Sequence, residues 1–515
     1  MRRRKLWFLT CTVCTALALF LLCACGQKTE QTEQTGNPGE AGDTGTISVQ
    51  ALSGYRVTRS DFNPKGGKNA SVALRRAIAD VTGTEPPIGT DWDDGSGIPD
   101  EEILVGKTNR PESEAFAETF ASSGADCAYG VLNGKVILYG KDDENLMRIE
   151  AKFEEDVLGV TKGQNGEPAS VLREGSFTGF TCEEKLLLED GSEPHSSLRS
   201  DILWGVNGHN KLHAPYGEAN TAEILRLAAE MGSTVYRINY NPTTTEMVSY
   251  ITDIIDRCHA YGMKVVLCMD DRSGTPEEIS ERMTYIAEHM KGKADYFQLF
   301  NEMDIWCAQT DDGTYYNPTN WKGETREYYN PERVPVAVEK MRAAVDAFRK
   351  AAPEAKLMIN VGACHYPMLD WFVEAGISWD IIGFDLYDIS YFKLSEFLGK
   401  MEERYPGYDF MIAECNYPVN NGKYLEEEQA AWLKNFFTLV NDCASERLIG
   451  VEVYELMDES TIQQDDEHWN GEAHFGIVNT GADGKPGPVK EAYRTLQTML
   501  CGGKAEYRTV YTPVG

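Results

Sequence analysis

The sequence predicts a (β/α)8 TIM barrel with a smaller α/β domain in front of it, and three observations support this fold class. Between residues 199 and 502, eight short apolar runs typical of buried strands alternate with amphipathic segments of helical periodicity. Several of these segments begin at Pro or are followed by Gly, as helices often are. No glycine-rich phosphate loop follows the first apolar run, which disfavours a doubly wound sheet.

Strands and helices alternate along this region. The eight strands are predicted at 203–206, 234–239, 264–269, 296–302, 357–361, 381–387, 410–414 and 450–455. The helices after them are predicted at 221–231, 245–261, 276–290, 331–352, 368–375, 395–404, 426–441 and 488–500. Thr275 is the expected N-cap of the third helix, because a hydroxyl there can accept from the first helical turn. The segment 503–515 is expected to be a C-terminal tail or a further strand.

The region 47–165 is predicted to be an accessory α/β domain. Strands are expected at 55–58 and 102–106, and a hairpin at 129–140 turns on Asn133-Gly134. Helices are expected at 71–81, 111–120 and 143–158, and 166–198 is a β connector. This domain resembles the non-catalytic α/β domain that precedes the barrel in β-hexosaminidases and α-glucuronidases. The resemblance implies that the domain does no chemistry itself.

The N-terminus has the layout of a secretory signal. Basic residues 2–5 precede an apolar stretch from Leu6 to Leu22, and Leu22-Cys23-Ala24-Cys25 resembles a bacterial lipobox. Residues 1–24 are therefore interpreted as a signal peptide, Cys25 as the lipidated residue and 25–46 as a disordered tether. The expected location is the extracellular face of the cytoplasmic membrane, with the protein held by its lipid anchor. An uncleaved signal anchor is the alternative and gives the same side of the membrane.

Charge and cysteine content argue against several classes of partner and site. The chain of 515 residues carries a formal net charge of −32, which argues against nucleic acid or an anionic membrane surface as partner. The nine cysteines after the leader are scattered and contain no CxxC pair, so a disulfide framework and a zinc site are not predicted. His209, His365 and His474 are interpreted as hydrogen-bonding residues, and neither a metal nor a cofactor is expected.

Two predicted strands end on a glutamate. The fourth strand ends in Asn301-Glu302 and the seventh ends in Glu414. In a barrel of this type the active site lies at the carboxyl ends of the strands, so these two carboxylates should face one another across its mouth. Glycoside cleavage needs such a pair, one acid to protonate the leaving oxygen and one carboxylate as nucleophile or base.

At these residues the chain, over about 199–500, resembles the clan A retaining glycoside hydrolases, which include families 5, 39, 42 and 53. The resemblance implies that Glu302 is the acid/base, that Glu414 is the nucleophile and that Asn301 binds the sugar 2-hydroxyl. Arg237 matches the clan's arginine on the second strand, and Tyr387 matches a tyrosine on the sixth strand that contacts the nucleophile. A guanidinium near Glu414 would favour its ionised form.

Two positions depart from that pattern. Tyr454 stands where many clan members have Trp at the end of the eighth strand, and Asp385 replaces the His of family 5. The family and the sugar are therefore left open. Asp385 and Glu455 are the next carboxylates able to reach the pocket, and a structural hydrogen bond is the favoured role for both.

The loop after the fourth strand, 303–330, is rich in aromatic residues, whose faces stack on sugar rings. They are Trp306, Tyr315, Tyr316, Trp321, Tyr328 and Tyr329. Trp306, four residues after Glu302, is the preferred substrate contact; a loop that packs on itself is the alternative.

The sequence thus predicts a lipid-anchored retaining glycoside hydrolase acting on a β-linked oligo- or polysaccharide. A catalytically inactive glycan-binding lipoprotein and a transglycosidase remain alternatives. A solute-binding lipoprotein is disfavoured, because those proteins are two-lobed and lack an eight-unit barrel.

Overall fold

The computed structural model describes residues 45–62, 66–92, 97–161, 164–165, 171–212, 214–318, 323–362, 364–387, 393–417, 425–459 and 471–515. The predicted signal peptide, Cys25 and most of the tether lie outside these ranges, so lipid anchoring stays a prediction. Within these ranges, none of the helices combines the length and the apolar character that a membrane crossing needs. The chain divides into two compact units between Phe180 and Thr181, and Val514 and Gly515 belong to the first.

The first unit is an α/β structure around one mixed sheet. Its strands are β1 (Thr46–Ile47), β2 (Arg56–Arg59), β3 (Ile88–Thr90), β4 (Glu102–Val105), β5 (Cys127–Leu132), β6 (Lys135–Gly140), β7 (Val160–Thr161), β8 (Gln164–Asn165), β9 (Leu172–Arg173) and the opening residues of β10 (Phe177–Leu188). Its helices are α1 (Gly66–Thr82), α2 (Pro111–Ser123) and α3 (Asp143–Phe153). Within the sheet, the strand order is β10, β5, β6, β4, β2 and β3.

Local chemistry accounts for the elements of this unit. The hairpin of β5 and β6 is confirmed, and Asn133 and Gly134 at its tip have φ of 52° and 76°. Both tolerate the left-handed conformation that a two-residue hairpin turn requires. Helix α1 buries Leu74, Ala77 and Ile78, the apolar face that the periodicity predicted.

The second unit contains a closed barrel of eight parallel strands, which confirms the predicted fold class. The strands are β11 (Leu203–Gly208), β12 (Val235–Asn239), β13 (Lys264–Met269), β14 (Tyr296–Leu299), β15 (Lys356–Gly362), β16 (Ile381–Leu386), β17 (Asp409–Cys415) and β18 (Leu448–Val453), and β18 pairs back onto β11. The helices are α4 (Thr221–Glu230), α5 (Thr245–Ala260), α6 (Pro276–Met290), α7 (Met303–Cys307), α8 (Arg333–Ala351), α9 (Tyr366–Glu374), α10 (Leu394–Arg404), α11 (Glu426–Cys443) and α12 (Glu491–Cys501).

Short strands complete this unit. A two-stranded antiparallel sheet joins β19 (Val478–Thr480) to β20 (Pro486–Val489), and β21 (Ala505–Pro513) lies beside β10. The predicted C-terminal strand is therefore present. The predicted start of the last helix at Pro488 is wrong, because Val489 pairs with Val478 and the Lys490 amide donates to the Ile477 carbonyl at 3.0 Å. The chain stays extended until α12 begins at Glu491.

The barrel strands bury an apolar cluster and carry polar side chains beyond it. Six fully buried or nearly buried side chains from five strands pack together, and they are Val235, Val266, Met358, Ile381, Met411 and Ala413. Further along the barrel strands lie buried polar or charged residues, among them Asn207, Arg237, Asn360, Asp385 and Glu414. A barrel that is apolar at its base and polar near the carboxyl ends of its strands places its chemistry at that end.

Candidate active site

The two predicted catalytic glutamates line one cavity. Glu414 lies within β17, and Glu302 stands just after β14, where it precedes α7. The cavity has a volume of about 300 Å³. Its wall is formed by Asn207, Gly208, His209, Arg237, Asn239, Cys268, Asp270, Asn301, Glu302, Tyr387, Glu414, Tyr454 and Phe475. Five predicted site residues therefore meet here, although they are spread over 178 positions of sequence between Arg237 and Glu414.

A bulge in β17 sets the position of Glu414. Phe384 of β16 pairs with Ile412, but the next residue, Asp385, pairs with Glu414, so Ala413 is the extra residue. The Asn207 side chain donates to the Ala413 carbonyl at 2.9 Å and holds the bulge. Bulges re-aim the following side chain, and they recur beside active sites. Glu414 consequently reaches the cavity although Ala413 belongs to the apolar cluster in the barrel.

Two donors hold the Glu414 carboxylate. Arg237 Nη1 donates to Oε1 at 2.9 Å, and the Tyr387 hydroxyl donates to Oε2 at 2.7 Å. The side chain is 8% exposed, so both bonds form away from bulk water. Burial and the neighbouring Glu414 raise the pKa of Tyr387, which keeps its hydroxyl a donor. Charge-assisted bonds of this kind stabilise an ionised carboxylate.

Besides Glu414, Arg237 donates to three amide side chains near the cavity. Its Nε donates to Gln298 Oε1 at 2.7 Å, its Nη2 donates to Asn301 Oδ1 at 2.8 Å, and its Nη1 also donates to Asn207. Burial disfavours the guanidinium charge, but Cys268 and the acids Glu414, Asp385 and Glu452 outweigh it and raise the pKa of Arg237. The arginine therefore stays charged, and its orientation is fixed on three sides.

Asn301 offers the cavity a hydrogen-bond donor. Its amide oxygen accepts from Arg237, from Gln298 Nε2 at 3.0 Å and from Asn360 Nδ2 at 2.8 Å. These bonds fix the orientation of the amide, because the oxygen is used by three donors. The amide nitrogen is left to donate towards a ligand in the cavity.

Glu302 sits on a turn with unusual backbone geometry. Phe300 and Glu302 have φ of 62° and 43°, in the left-handed region that residues with a Cβ rarely adopt. The Glu302 amide donates to Asn360 Oδ1 at 3.0 Å, and the buried Phe300 carbonyl accepts from Gln298 at 2.9 Å. Such strain persists where surrounding bonds enforce it, commonly at functional sites. The turn also ends β14 at Leu299, so the prediction of a strand running to Glu302 is wrong.

Two further acids lie buried beside Glu414. Asp385 Oδ2 accepts from Asn360 Nδ2 at 2.6 Å, which is the structural hydrogen bond that the sequence favoured. Burial, then Glu414 and Glu302, raise the pKa of Asp385 well above its usual range. Burial also raises the pKa of Glu452 to about 8, with Arg237 opposing and Glu414 adding to the shift. Both shifts disfavour the ionised forms of Asp385 and Glu452, whereas Glu414 is hydrogen-bonded directly to Arg237.

The predicted substrate contact Trp306 lies elsewhere. It is part of α7 and does not line the described cavity. The guanidinium of Arg333 and the ammonium of Lys340 lie over its ring, 4.9 and 5.7 Å from the centroid. A role in stacking a sugar there stays a prediction.

The other aromatic residues of the same loop take different environments. Tyr328 and Tyr329 are buried, which is the self-packed alternative, while Tyr315 and Tyr316 are about half exposed. Trp321 falls outside the described residues. His365 is a hydrogen-bonding residue, with its Nδ1 2.5 Å from Asp304 Oδ2.

Several residues of the cavity wall were not predicted as substrate contacts from the sequence. Asn207, Asn239 and Asp270 are polar residues at or just after the carboxyl ends of β11, β12 and β13, so the rule that singled out Glu302 would also have found them. Phe475 had no such signal, because it follows the eighth strand by more than twenty positions. Tyr454, noted in the sequence as a departure, lines the cavity at the place where the resemblance implied Trp.

Comparisons with known proteins give matches of low similarity among solved structures. No model of a known protein family matches the chain, and no curated protein matches it. Solved structures do: the β-glycosidase BGL167 has a TM-score of 0.44 and 15% identity, with 59% of this chain and 96% of that chain covered. The family 1 β-glucosidase from Thermotoga maritima in complex with isofagomine lactam has a TM-score of 0.45 and 14% identity, covering 60% and 99%. The AHE enzyme from Alicyclobacillus herbarius has a TM-score of 0.45 and 12% identity, covering 60% and 98%.

These values are too low to carry an argument about activity or substrate.

Proposed function

We propose that this chain is a retaining glycoside hydrolase that cleaves a β-linked oligo- or polysaccharide. The observation that carries the proposal is the pair Glu302 and Glu414 on one cavity, with Glu414 held by Arg237 and Tyr387. A two-carboxylate site needs its members in different environments, so that one donates a proton while the other stays ionised. The bound arginine supplies that difference in favour of an ionised Glu414.

The reaction follows from this division of roles. Glu302 protonates the glycosidic oxygen while a Glu414 oxygen attacks the anomeric carbon, and the leaving group departs with that proton. Glu302 then removes a proton from water, which displaces Glu414 and releases the sugar with its original anomeric configuration. The Asn301 amide nitrogen is positioned to donate to a sugar hydroxyl during both steps. We further propose that a lipid on Cys25 keeps the enzyme outside the cytoplasmic membrane.

The test begins with a panel of aryl β-glycosides and β-linked polysaccharides, followed by Glu414→Gln on whichever substrate is cleaved. The variant keeps the shape and one acceptor oxygen but removes the nucleophile, so turnover should fall by several orders of magnitude. Glu427→Gln, an exposed glutamate on α11, is the matched control and should retain the wild-type rate. A Glu414→Gln variant as active as wild type would refute the assignment of the nucleophile.

The stereochemistry of the first-formed product separates the remaining alternatives. Proton NMR of the fresh hydrolysate should show the anomer of the substrate, and the opposite anomer would mean inversion. Products longer than the substrate would indicate transglycosylation by the same residues. Saturable glycan binding without any turnover across the panel would favour the non-catalytic lipoprotein.

A further inference from the structure

We infer that His209, Glu455 and Glu459 form a binding site for one divalent transition-metal ion of the zinc class. The three side chains lie together behind the cavity, of which His209 forms part of the wall; His209 follows β11 and both glutamates follow β18. One ligand atom from each lies within 4.8 Å of the others, and all three residues are buried. This inference does not depend on the proposed glycosidase activity.

The spacing fits ligands of one small cation. His209 Nε2 is 3.1 Å from Glu455 Oε2 and 3.2 Å from Glu459 Oε1. Ligand atoms about 2.0 to 2.2 Å from one Zn²⁺ stand roughly 3 to 3.5 Å from each other, so an ion fits with small side-chain movements. The same distances also suit a protonated His209 that is shared between the two carboxylates. A proton on His209 therefore competes with the metal ion for the site.

The charge of the cluster favours a divalent occupant. Glu455 is fully buried, and its Oε1 accepts no hydrogen bond in the described structure, whereas its Oε2 accepts from the Tyr216 hydroxyl at 2.8 Å. Two buried carboxylates carry up to two negative charges, while a protonated imidazole supplies one positive charge. Lys490, nearby in the fold, pairs with Asp458 at 2.7 Å. A divalent cation chelated by both oxygens of Glu455 balances both carboxylates and satisfies the open Oε1 as well as Oε2.

The donor set selects the metal class. One imidazole nitrogen with carboxylate oxygens suits Zn²⁺ and related transition ions, whereas Ca²⁺ and Mg²⁺ prefer ligands that are all oxygen. The contact from Tyr216 to Glu455 is of the kind that orients a ligating carboxylate from behind. Such an ion would join the end of β11 to the segment after β18, and it would stiffen one wall of the cavity.

Residues 209, 455 and 459 were not joined into a metal site at the level of sequence, because about 250 positions separate the histidine from the glutamates. Only closure of β18 onto β11 brings them together. From the sequence, His209 is expected to be a hydrogen-bonding residue, and its contacts with Glu455 and Glu459 also fit that role when no ion is bound.

The test uses the full chain after treatment with a chelator. Isothermal titration with Zn²⁺, and metal analysis after gel filtration, should give one tightly bound ion per chain for wild type. The melting temperature should rise with added Zn²⁺, because a ligand that binds only the folded state stabilises it. Both effects should be lost in Glu459→Gln and in His209→Gln, and retained in Glu427→Gln.

Two controls exclude misfolding and binding by cysteines as explanations of the result. Circular dichroism must show that the variants fold; since two different residues are changed, one misfolded variant does not end the test. A Co²⁺ spectrum without a thiolate charge-transfer band excludes binding by cysteines. No bound Zn²⁺ in wild type, equal binding by wild type and both variants, or binding of Ca²⁺ in preference to Zn²⁺ would overturn the inference.

Discussion

The environments of Glu302 and Glu414 differ in the bonds that their neighbours make. Glu414 accepts from a guanidinium and a phenol, and burial raises the pKa of its neighbours Asp385 and Glu452. Glu302 is held through its backbone, by the bond from its amide to Asn360.

Glu302→Ala should therefore slow cleavage selectively, according to the leaving group. Aryl glycosides with strongly acidic phenols need no proton and should keep most of their rate in the first step. Alkyl glycosides and glycans, whose leaving oxygen must be protonated, should slow by roughly 10²- to 10⁴-fold. The comparison is a plot of log kcat/KM against the pKa of the leaving group for wild type and variant; parallel lines would rule out the acid role.

Glu452 should make stability depend on pH. Its pKa of about 8 in the folded state lies above the value of about 4.3 in an unfolded chain, so the folded state binds the proton more tightly. The contribution is fully present below about pH 4.3 and is lost as the pH rises to about 8. Between these two pH values, Glu452 lowers the free energy of unfolding by about 1.4 kcal/mol for each unit of pH increase.

Glu452→Gln removes this loss, because its amide has no proton to release. Urea unfolding at pH 5, 6, 7 and 8 should show a flatter pH dependence for the variant than for wild type, with Glu427→Gln following wild type. Identical slopes for wild type and Glu452→Gln would mean that Glu452 ionises normally in the folded protein.

At the scale of elements, the start of α6 depends on neighbouring residues, whereas the end of β14 depends on remote ones. Thr275 is the N-cap of α6 as predicted: its hydroxyl accepts from the Glu278 amide at 3.3 Å, and Glu278 accepts from the Thr275 amide at 2.7 Å. The two bonds form a capping box, which uses only neighbouring residues. The end of β14 and the bulge in β17 depend instead on Asn360 and Asn207, which are remote in sequence.

Thr275→Ala should destabilise α6 by about 1 kcal/mol, since it removes the cap of the first turn. Hydrogen exchange of the amides at 276–280 should accelerate accordingly, while amides of α11 should not change. Thr275→Ser keeps the hydroxyl and serves as the control. Unchanged exchange in Thr275→Ala would show that packing, and not the cap, fixes the start of this helix.

At the scale of the whole molecule, net charge is the dominant sequence property. The formal charge of −32 includes the basic residues of the predicted leader, so the chain without that leader is more acidic still. Like charges oppose the compact state, and salt screens them over a distance that falls from about 30 Å at 0.01 M to about 8 Å at 0.15 M.

The melting temperature should consequently rise by a few degrees between 0.01 and 0.15 M NaCl at pH 7.5. The rise should shrink near pH 5, where many carboxylates are protonated and the net charge is smaller. KCl at equal ionic strength should act like NaCl, because screening does not distinguish the two. A melting temperature independent of salt at pH 7.5 would show that surface acids are spaced too widely to repel one another.

The sequence by itself determined the barrel, the order of its eight strands and the positions of Glu302, Glu414, Asn301, Arg237 and Tyr387 at their carboxyl ends. These follow from local periodicity, from apolar runs that end on polar residues and from a family resemblance. The helix start at Pro488 and the strand end at Glu302 were wrong, because a remote strand partner and a turn held by remote side chains override local preference.

Only the tertiary structure decided which residues share the cavity and how each is held. The bulge at Ala413, the contacts of Arg237, the position of Trp306 away from the cavity and the cluster of His209 with Glu455 and Glu459 all join residues far apart in sequence. The physical reason is closure of the barrel. The local sequence pattern predicts which end of a strand a side chain occupies. The hydrogen bonds, the burial and the pKa of that side chain depend on neighbours that come close only when the sheet closes.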